Sequence, residues 1–565
     1  MLIHRKFNLP TSSYNNYRLY FKYIVPNLHK QDFLNIQFRS SHSAKEKDAH
    51  LIVPLDKTKY NENKVICKNV KLIGWVQSVR KHKSCVFCNI SDGSSPYDLQ
   101  VVTLPSEITD KITVGCALSV EGDIYHIPNI LKASQLSIDK PNVQCCGELR
   151  AKIVNILDTE NQPEELQLEK SINNDSLPFN HSVPTINQVI SSLGRHSPRP
   201  DLGVLRSVEA LSMRHRLPEF GAMLRMRAHI KRIVRKVMSS CDYLEVDTPI
   251  LTSTDCEGTG QMFQVQAPTL NETRESDSSS VYLTGSAQMH LESLALGLSK
   301  VYTLNPAFRA ENSNTRHHLA EFYMLEAESI YLDNINSLCK EIEMLIKKIL
   351  NECLEIYPIS GCNKLNALQN DLVLIRTFLG GQSESDSHCK SFLIDSALEL
   401  RDVLETMLKQ PFVCISYSEA IEYLNKEMGT ADLTISKPRD LNKKEEYKIL
   451  DWVGGKRPVF ITHFPMELKP FYCQSVDGIE AECADLLFPG IGELVGASVR
   501  ENVASRLQTR MKSNQLQWYI NLRGSGSAPH AGFGLGFERL MQFVLGIANI
   551  RDAIAFPRNT NKIIF

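Results

Sequence analysis

The sequence predicts an α+β protein with two folded units, a small N-terminal β-barrel and a larger domain built on a mainly antiparallel sheet. Two observations predict it. Between Lys64 and Asp139 five short runs, KVICKNVKLIGWVQSV, SCVFCNISD, DLQVVTL, ALSVEGDIYHI and LKASQLSI, are separated by turn residues at a spacing that suits a small barrel. Beyond residue 214, strand-like EVDTPILTS, VYLTGSAQM, KVYTLNPAFRAEN, AEFYMLEAESIYL and PVFITHF are mixed with helices such as SLCKEIEMLIKKILNECL. They do not alternate regularly, which argues for an α+β sheet and against a doubly wound one.

Length and composition agree with this division. At 565 residues the chain exceeds what one hydrophobic core organises. With 42% hydrophobic and 22% charged residues it has a globular composition, and no uncharged apolar run approaches the roughly 18 residues of a membrane-spanning helix. A membrane-embedded role is therefore not expected. The formal net charge of -1 neither requires nor excludes a nucleic-acid partner, because an electrostatic footprint belongs to one surface. Fifteen cysteines are scattered along the chain, and reduced thiols are expected. Cys85 and Cys88 form a CxxC, but on a strand their side chains point to opposite faces, which favours structural cysteine over zinc.

Taken in order, the first 43 residues carry Arg5, Lys6, Arg18, Lys22, Lys30 and Arg39 against Asp32 alone. They suit an organellar import segment, with the mitochondrial matrix as the expected destination, or an ordinary basic tail. Residues 64–140 form the expected barrel of the OB type. Residues 141–213 are polar and weakly periodic, and they read as a linker with an insertion. Residues 214–565 form the larger domain, opening with a run from Arg214 to Lys236 that holds eight basic residues and one acid, Glu219. That run is either a basic helix face or a solvated one. Segments near 269–280 and 357–410 read as surface inserts.

Chemistry concentrates in two places. In FRAENSNTRHHLAEFYMLEAE, two strand-like arms carry Arg309, Glu311 and Phe322 around a loop with Arg316, His317 and His318. An arginine for phosphate, a ring for a base and a carboxylate for an exocyclic amine would hold a nucleotide, although a charged hairpin would look the same. In HAGFGLGFERLMQFVLG, Gly532, Gly534 and Gly536 precede Glu538 and Arg539, where backbone can approach a ligand and an arginine can meet phosphate.

Together with the proline-bearing EVDTPIL, these segments resemble, in order, the three signature motifs of the class II aminoacyl-tRNA synthetases. A barrel before such a domain is the arrangement of their aspartate, asparagine and lysine subgroup. The resemblance implies a homodimer formed through the first motif, which ends at Pro249. It implies ATP as substrate, with Arg309 on the α-phosphate and the amino-acid carboxylate and Glu311 on the adenine amine. Phe322 would stack on adenine, Arg539 would meet the γ-phosphate, and His318 would contact phosphate or the tRNA end. Asp485 and Glu493 would hold Mg2+, whose preference for hard oxygens they match. Two positions depart from the family's usual pattern: His317 replaces a common second arginine, and Ala531 a common glycine.

Aspartate-specific relatives carry a lysine in SPQxxKQ; the matching segment here is Ser286-Ala287-Gln288-Met289-His290-Leu291-Glu292, with no lysine and an added acid. This resembles the asparagine-specific members. Glu292 would accept from the asparagine amide and repel aspartate, Arg500 would donate to the amide carbonyl, and Glu257, Ser286 and Gln288 would hold the ammonium group. In the barrel, Phe87 and Gln100, with Arg80, stand where relatives read the anticodon, here expected to be that of tRNA(Asn). The expected reaction is ATP-dependent joining of asparagine to tRNA(Asn). Aspartate specificity, or a catalytically silent tRNA-binding relative, are the alternatives.

Overall fold

The protein is described here by a computed structural model. It describes residues 39–40, 47–48, 65–126, 144–157, 192–194, 197–255, 262–266, 280–311, 315, 317–359, 365–380, 397–427, 438–453, 457–511 and 516–559. Apart from the two-residue strand Arg39–Ser40, the expected import segment lies outside these residues, as do Glu257, Arg316 and nearly all of the 269–280 insert.

The barrel is present, and its strands are β1 (Val65–Lys81), β2 (Val86–Ser91), β3 (Asp98–Thr103), β4 (Ala117–His126) and β5 (Gln144–Ile156). β1 pairs with both β2 and β4, and β5 closes the ring between β3 and β4. Alternation decides which side chains fill it: Val86, Cys88 and Ile90 of β2 point inward and are at most 1% exposed. The fifth strand corrects the sequence reading. LKASQLSI, read as that strand, lies outside the described residues, and the strand that closes the barrel is Gln144–Ile156, which had been given to the linker.

The larger domain is built on an eight-stranded sheet, with a small three-stranded one formed by Leu251–Thr252, Gln264–Val265 and Val281–Leu283 beside it in the chain. The strands of the larger sheet are β6 (Leu244–Glu245), β7 (Lys300–Phe308), β8 (Glu321–Ser329), β9 (Val413–Ser416), β10 (Val459–Pro465), β11 (Glu480–Phe488), β12 (Gly492–Val499) and β13 (Ala531–Gly536). They lie in the order β9-β10-β11-β12-β13-β8-β7-β6. Only the outermost pairs, β9–β10 and β7–β6, are parallel, so the sheet is mainly antiparallel as expected.

One face is covered by α1 (Pro218–Ser240), α3 (Ile335–Cys353) and α7 (Phe537–Leu545); between α1 and α3 in the chain lies α2 (Gln288–Leu298). α3 forms where Asn334 caps it, its side chain accepting from Ser337 N at 2.9 Å, and its stripe Leu338, Ile342, Leu345, Ile346 and Ile349 is buried against the sheet.

Two readings of this domain change. The Arg214–Lys236 run is not simply a solvated face, because most of its cations are paired within the fold. Arg227 meets Glu538 at 2.6 Å, Arg225 meets Asp371 at 2.6 Å, Arg235 meets Glu245 at 2.9 Å, and the fully buried Arg214 meets Asp552 and three backbone carbonyls. The 357–410 segment is also not wholly a surface excursion. It supplies α4 (Ala367–Ile375) and α5 (Ala397–Lys409), whose Leu372, Ile375, Leu400, Val403, Leu404 and Met407 enter the main core. α4 also reaches the barrel: buried Asn370 donates to Tyr97 Oη at 3.1 Å, and Arg225 joins Asp371 to the Gly93 carbonyl.

Candidate active site

The free face of the sheet forms the floor of a cavity of about 1040 Å³. β8 sets its long axis. Residues two apart on a strand share a face, so Phe322, Met324, Glu326 and Glu328 all line the cavity in a row. Opposite Met324, Glu326 and Glu328 on β13, in register, stand Gly536, Gly534 and Gly532. The sequence reading gave these glycines the task of letting backbone approach a ligand. At Gly532 the reason is internal, because an added Cβ would lie 2.2 Å from the Glu328 carboxyl and 2.3 Å from the Ala327 carbonyl oxygen. The absent side chain makes room for Glu328. Ala531, the departure from the family pattern, packs without exposure in the main core.

At one end of the row are the groups expected to hold a nucleotide. The Arg309 guanidinium lies 5.6 Å from the Phe322 ring centre and 3.9 Å from Glu311. Glu538 receives Tyr323 N at 2.9 Å and pairs with Arg227, which fixes β8 beside Phe322. Arg539 donates to the Glu493 carbonyl oxygen at 2.6 Å and lies 3.5 Å from its carboxylate. Burial would raise the Glu493 carboxyl, but Arg539, Lys469, Lys443 and Arg309 outweigh it and hold it below its ordinary value. His318, held by Thr315 Oγ1 at 2.6 Å, is pushed down by burial and by Arg539. His317 lines the same end.

Asp485 is the second expected metal ligand, and both its oxygens accept from Lys469, at 3.0 and 2.8 Å. Burial raises its carboxyl to about 6 even so. Mg2+ is usually held by one or two carboxylates together with substrate phosphates. Glu493, 42% exposed beside the cationic end, fits that donor set as it stands; Asp485 fits it once Lys469 releases it.

At the other end lie Ser286, Gln288, Glu326, Glu328, Tyr472 and Arg500. Glu326 receives Ala287 N at 2.9 Å and the Ser286 hydroxyl, which fixes the start of α2. Arg500 donates through Nε to Glu328 at 3.0 Å, again through a second nitrogen to the same oxygen, and to Ser498 Oγ.

Glu292 departs from the expected role. It is 0% exposed and does not line the cavity. Its Oε1 accepts from Gln288 Nε2 at 2.9 Å and Tyr519 Oη at 2.8 Å, and its Oε2 from Arg523 at 2.7 Å and His530 Nε2 at 3.0 Å. A carboxylate offers about four acceptor positions, and the protein's own donors fill them, leaving no place for an asparagine amide. Burial would raise this carboxyl; the His530 hydrogen bond and the Arg523, His530 and Arg500 charges instead hold it far below its ordinary value. Its effect on the cavity passes through Gln288, whose amide nitrogen it holds, leaving the Gln288 carbonyl oxygen as the acceptor offered to a ligand.

Sequence reasoning missed Glu326, Glu328, Lys469, Tyr519 and Arg523. The first two were legible as the period-two continuation from Phe322. Tyr519 and Arg523 lie i, i+4 on α6 (Gln517–Gly524), a spacing that shows only that they share a helix face.

On the barrel, Phe87 is half-buried on the outer face with exposed Arg80 6.0 Å away and His82 edge-on at 5.8 Å. Gln100, on the adjacent strand, donates to Glu148 at 3.0 Å. Cys88 lies inside the barrel, where burial pushes its thiol up to about 11, and Cys85, just before the strand, is half-buried. Pro249 is exposed beside edge strand β6, close to exposed Leu244, Ile250 and Leu251.

Residues 207–560 match the family described as tRNA synthetases class II (D, K and N). The mitochondrial asparagine–tRNA ligase of Schizosaccharomyces pombe is 33% identical over 503 residues, covering 87% of this chain and 95% of the relative. The asparaginyl-tRNA synthetase of Mus musculus is 32% identical over 502 residues, covering 87% and 90%. Among solved structures, asparaginyl-tRNA synthetase from Pyrococcus horikoshii complexed with asparaginyl-adenylate superposes with a TM-score of 0.64 at 25% identity, covering 89% of this chain and 98% of that one. On this match the chain belongs to the class II tRNA synthetases of the D, K and N group, and within it to the asparaginyl-tRNA synthetase family.

Proposed function

We propose that this protein joins asparagine to tRNA(Asn) in two steps, with ATP as the activating substrate. The observation that carries the reading is one cavity with an aromatic and cationic end, Phe322, Arg309 and Arg539, and a charge-paired end at Arg500 and Glu328. In the first step a carboxylate oxygen of asparagine attacks the α-phosphorus of ATP. The bond from that phosphorus to the bridging oxygen breaks, and pyrophosphate leaves. In the second a ribose hydroxyl of the terminal adenosine attacks the activated carbonyl, and AMP leaves. Neither step needs a covalent enzyme intermediate, so positioning and charge neutralisation carry the rate.

Phe322 stacks on adenine, Glu311 accepts from its amino group, and Arg309 bridges the α-phosphate and the incoming carboxylate. Arg539 and His318 face the outer phosphates. Mg2+ on Glu493, joined by Asp485 once Lys469 lets go of it, would add charge neutralisation at the phosphates. Ser286 and Gln288 meet the ammonium group, with Glu257 assigned there by family resemblance. Phe87, Gln100 and Arg80 form a stacking and hydrogen-bonding platform for anticodon bases. The exposed apolar edge at Leu244, Pro249, Ile250 and Leu251 supports a homodimer. The basic first 43 residues and the mitochondrial relative support a mitochondrial location.

ATP–pyrophosphate exchange with asparagine, aspartate and lysine at equal concentration tests the reading. Exchange with asparagine alone is expected, and its absence with all three would point to a silent tRNA-binding relative.

A further inference from the structure

Lys469 stands in the cavity wall at the carboxylates expected to hold a metal. It follows the single turn Met466–Leu468 at the end of β10, and its ammonium donates to both Asp485 oxygens, at 3.0 and 2.8 Å. The ammonium also lies 3.7 Å from the centre of the Phe464 ring, so a carboxylate and a ring face hold it from two sides. The Lys469 side chain is 15% exposed and that of Asp485 23%, which leaves the pair open to the cavity.

Asp485 and Glu493 converge on one spot. Gly496 on β12 is directly opposite Asp485 on β11, and the Glu493 carboxylate turns back over that glycine, with Oε1 3.6 Å from where a Gly496 Cβ would stand. Glu446 fixes the start of the strand by accepting from Glu493 N at 2.9 Å. The charge of Lys469 acts on both acids.

We propose that Lys469 holds the metal's place at Asp485 in the nucleotide-free protein, so that a divalent ion enters this pair of carboxylates only together with ATP. The proposal rests on the ATP-dependent activation proposed above and adds to it an order of binding.

Two arguments carry it. An ammonium and a divalent cation compete for the same carboxylate oxygens, and Mg2+ gives up its water reluctantly. Two carboxylates already engaged by Lys469 and Arg539 are therefore a poor site for the free ion. ATP changes that balance, because its phosphates bring further oxygens to the ion and offer Lys469 and Arg539 new anionic partners. The lysine can then leave Asp485 without losing a counter-charge. Its flexible four-carbon stem permits the move, whereas the rigid fork of an arginine would clamp both oxygens.

Mn2+ binding to the full chain, followed by electron paramagnetic resonance at about pH 8 so that the carboxylates are ionised, tests the proposal without catalysis. In the absence of nucleotide, Lys469→Met should bind Mn2+ about tenfold more tightly than wild type, and the gain should vanish when Asp485→Asn is added to it. Lys469→Arg, which keeps a cation on Asp485, should bind Mn2+ no more tightly than wild type; tighter binding by it would overturn the proposal even if the methionine variant does not fold. In the otherwise wild-type chain, Asp485→Asn should leave nucleotide-free Mn2+ binding within about twofold, yet weaken binding of the Mn2+ complex of a non-hydrolysable ATP analogue about tenfold. Equal Mn2+ affinity in wild type and Lys469→Met, a gain that survives Asp485→Asn, or an analogue complex indifferent to Asp485→Asn each overturns it. Failure of the activity reading shows separately, as an absence of pyrophosphate exchange in wild type.

Discussion

Replacing Gly532 with alanine probes the floor of the amino-acid end with a single methyl group. The new Cβ would sit 2.2 Å from the Glu328 Cδ and Oε1 and 2.3 Å from the Ala327 carbonyl oxygen, against an ordinary contact of about 3.5 Å. Something must therefore move by about 1.3 Å. The Ala327 carbonyl belongs to β8, held in register between β7 and β13, so the ladder resists on that side. The Glu328 carboxyl has to yield, and with it the bond to Arg500. Overpacking costs about 1–3 kcal/mol and breaking a buried ion pair about 3–5 kcal/mol; with part of each relieved by relaxation, a loss of about 3–5 kcal/mol is expected.

The assay is urea unfolding, paired with exchange kinetics. Asparagine KM should rise while ATP KM holds, because Phe322 lies six residues along the strand, about 20 Å away. Gly534→Ala is the control: its Cβ would meet the flexible Met324 sulfur at 3.3 Å, and it should cost under about 1 kcal/mol. A Gly532→Ala protein as stable as the Gly534→Ala protein, with unchanged asparagine KM, would refute the reasoning.

Tyr519→Phe removes a hydroxyl bonded to both Glu292 oxygens and to Arg523, and should cost about 1–3 kcal/mol in urea unfolding with a several-fold rise in asparagine KM. Phe322→Ala removes the proposed adenine platform and should raise ATP KM by about fivefold or more with little change in asparagine KM, read by exchange. Phe87→Ala should lower aminoacylation of tRNA(Asn) by about tenfold while pyrophosphate exchange stays at the wild-type rate. Glu292 has a folded pKa below the 4.5 of a free glutamate, so its ionised form contributes stability in full above that range and loses it as pH falls through the folded value. Below pH 4.5 the urea midpoint of wild type should therefore fall more steeply than that of Glu292→Gln.

Much of this was legible in the chain, for reasons that also mark where legibility stops. The first four barrel strands and the sheet strands β6, β7, β8 and β10 announced themselves by their strand-like runs, whereas β9, β11, β12 and β13 were not read as strands. Nor was β5: Glu148, Arg150, Lys152 and Asn155 stand on positions that are half-buried or exposed, so QCCGELRAKIVNI reads as polar loop. Arg309, Phe322, Glu493 and Arg539 came from local motifs, and the cavity brings them together. Glu292 failed for another reason. Its sequence position was identifiable, but its surroundings come from Tyr519, Arg523 and His530, which lie 227 to 238 residues away, and no local pattern shows that they will close around it. The basic helix was misread in the same way, since Asp371, Glu538 and Glu352 reach it from distant segments.

The α4 contact bears on how this chain could be divided. Asn370 is fully buried with its amide on a barrel tyrosine, and Arg225 spans Asp371 and a barrel carbonyl. Arg216 likewise ends on the Gly115 carbonyl beneath Trp75. Cutting the chain after β5 would strand these donors at a raw seam, so the catalytic half is not a detachable cassette. An engineer grafting a different RNA-reading module onto it would have to carry Tyr97, Gly93 and Gly115 across with the graft, or rebuild the seam around Asn370.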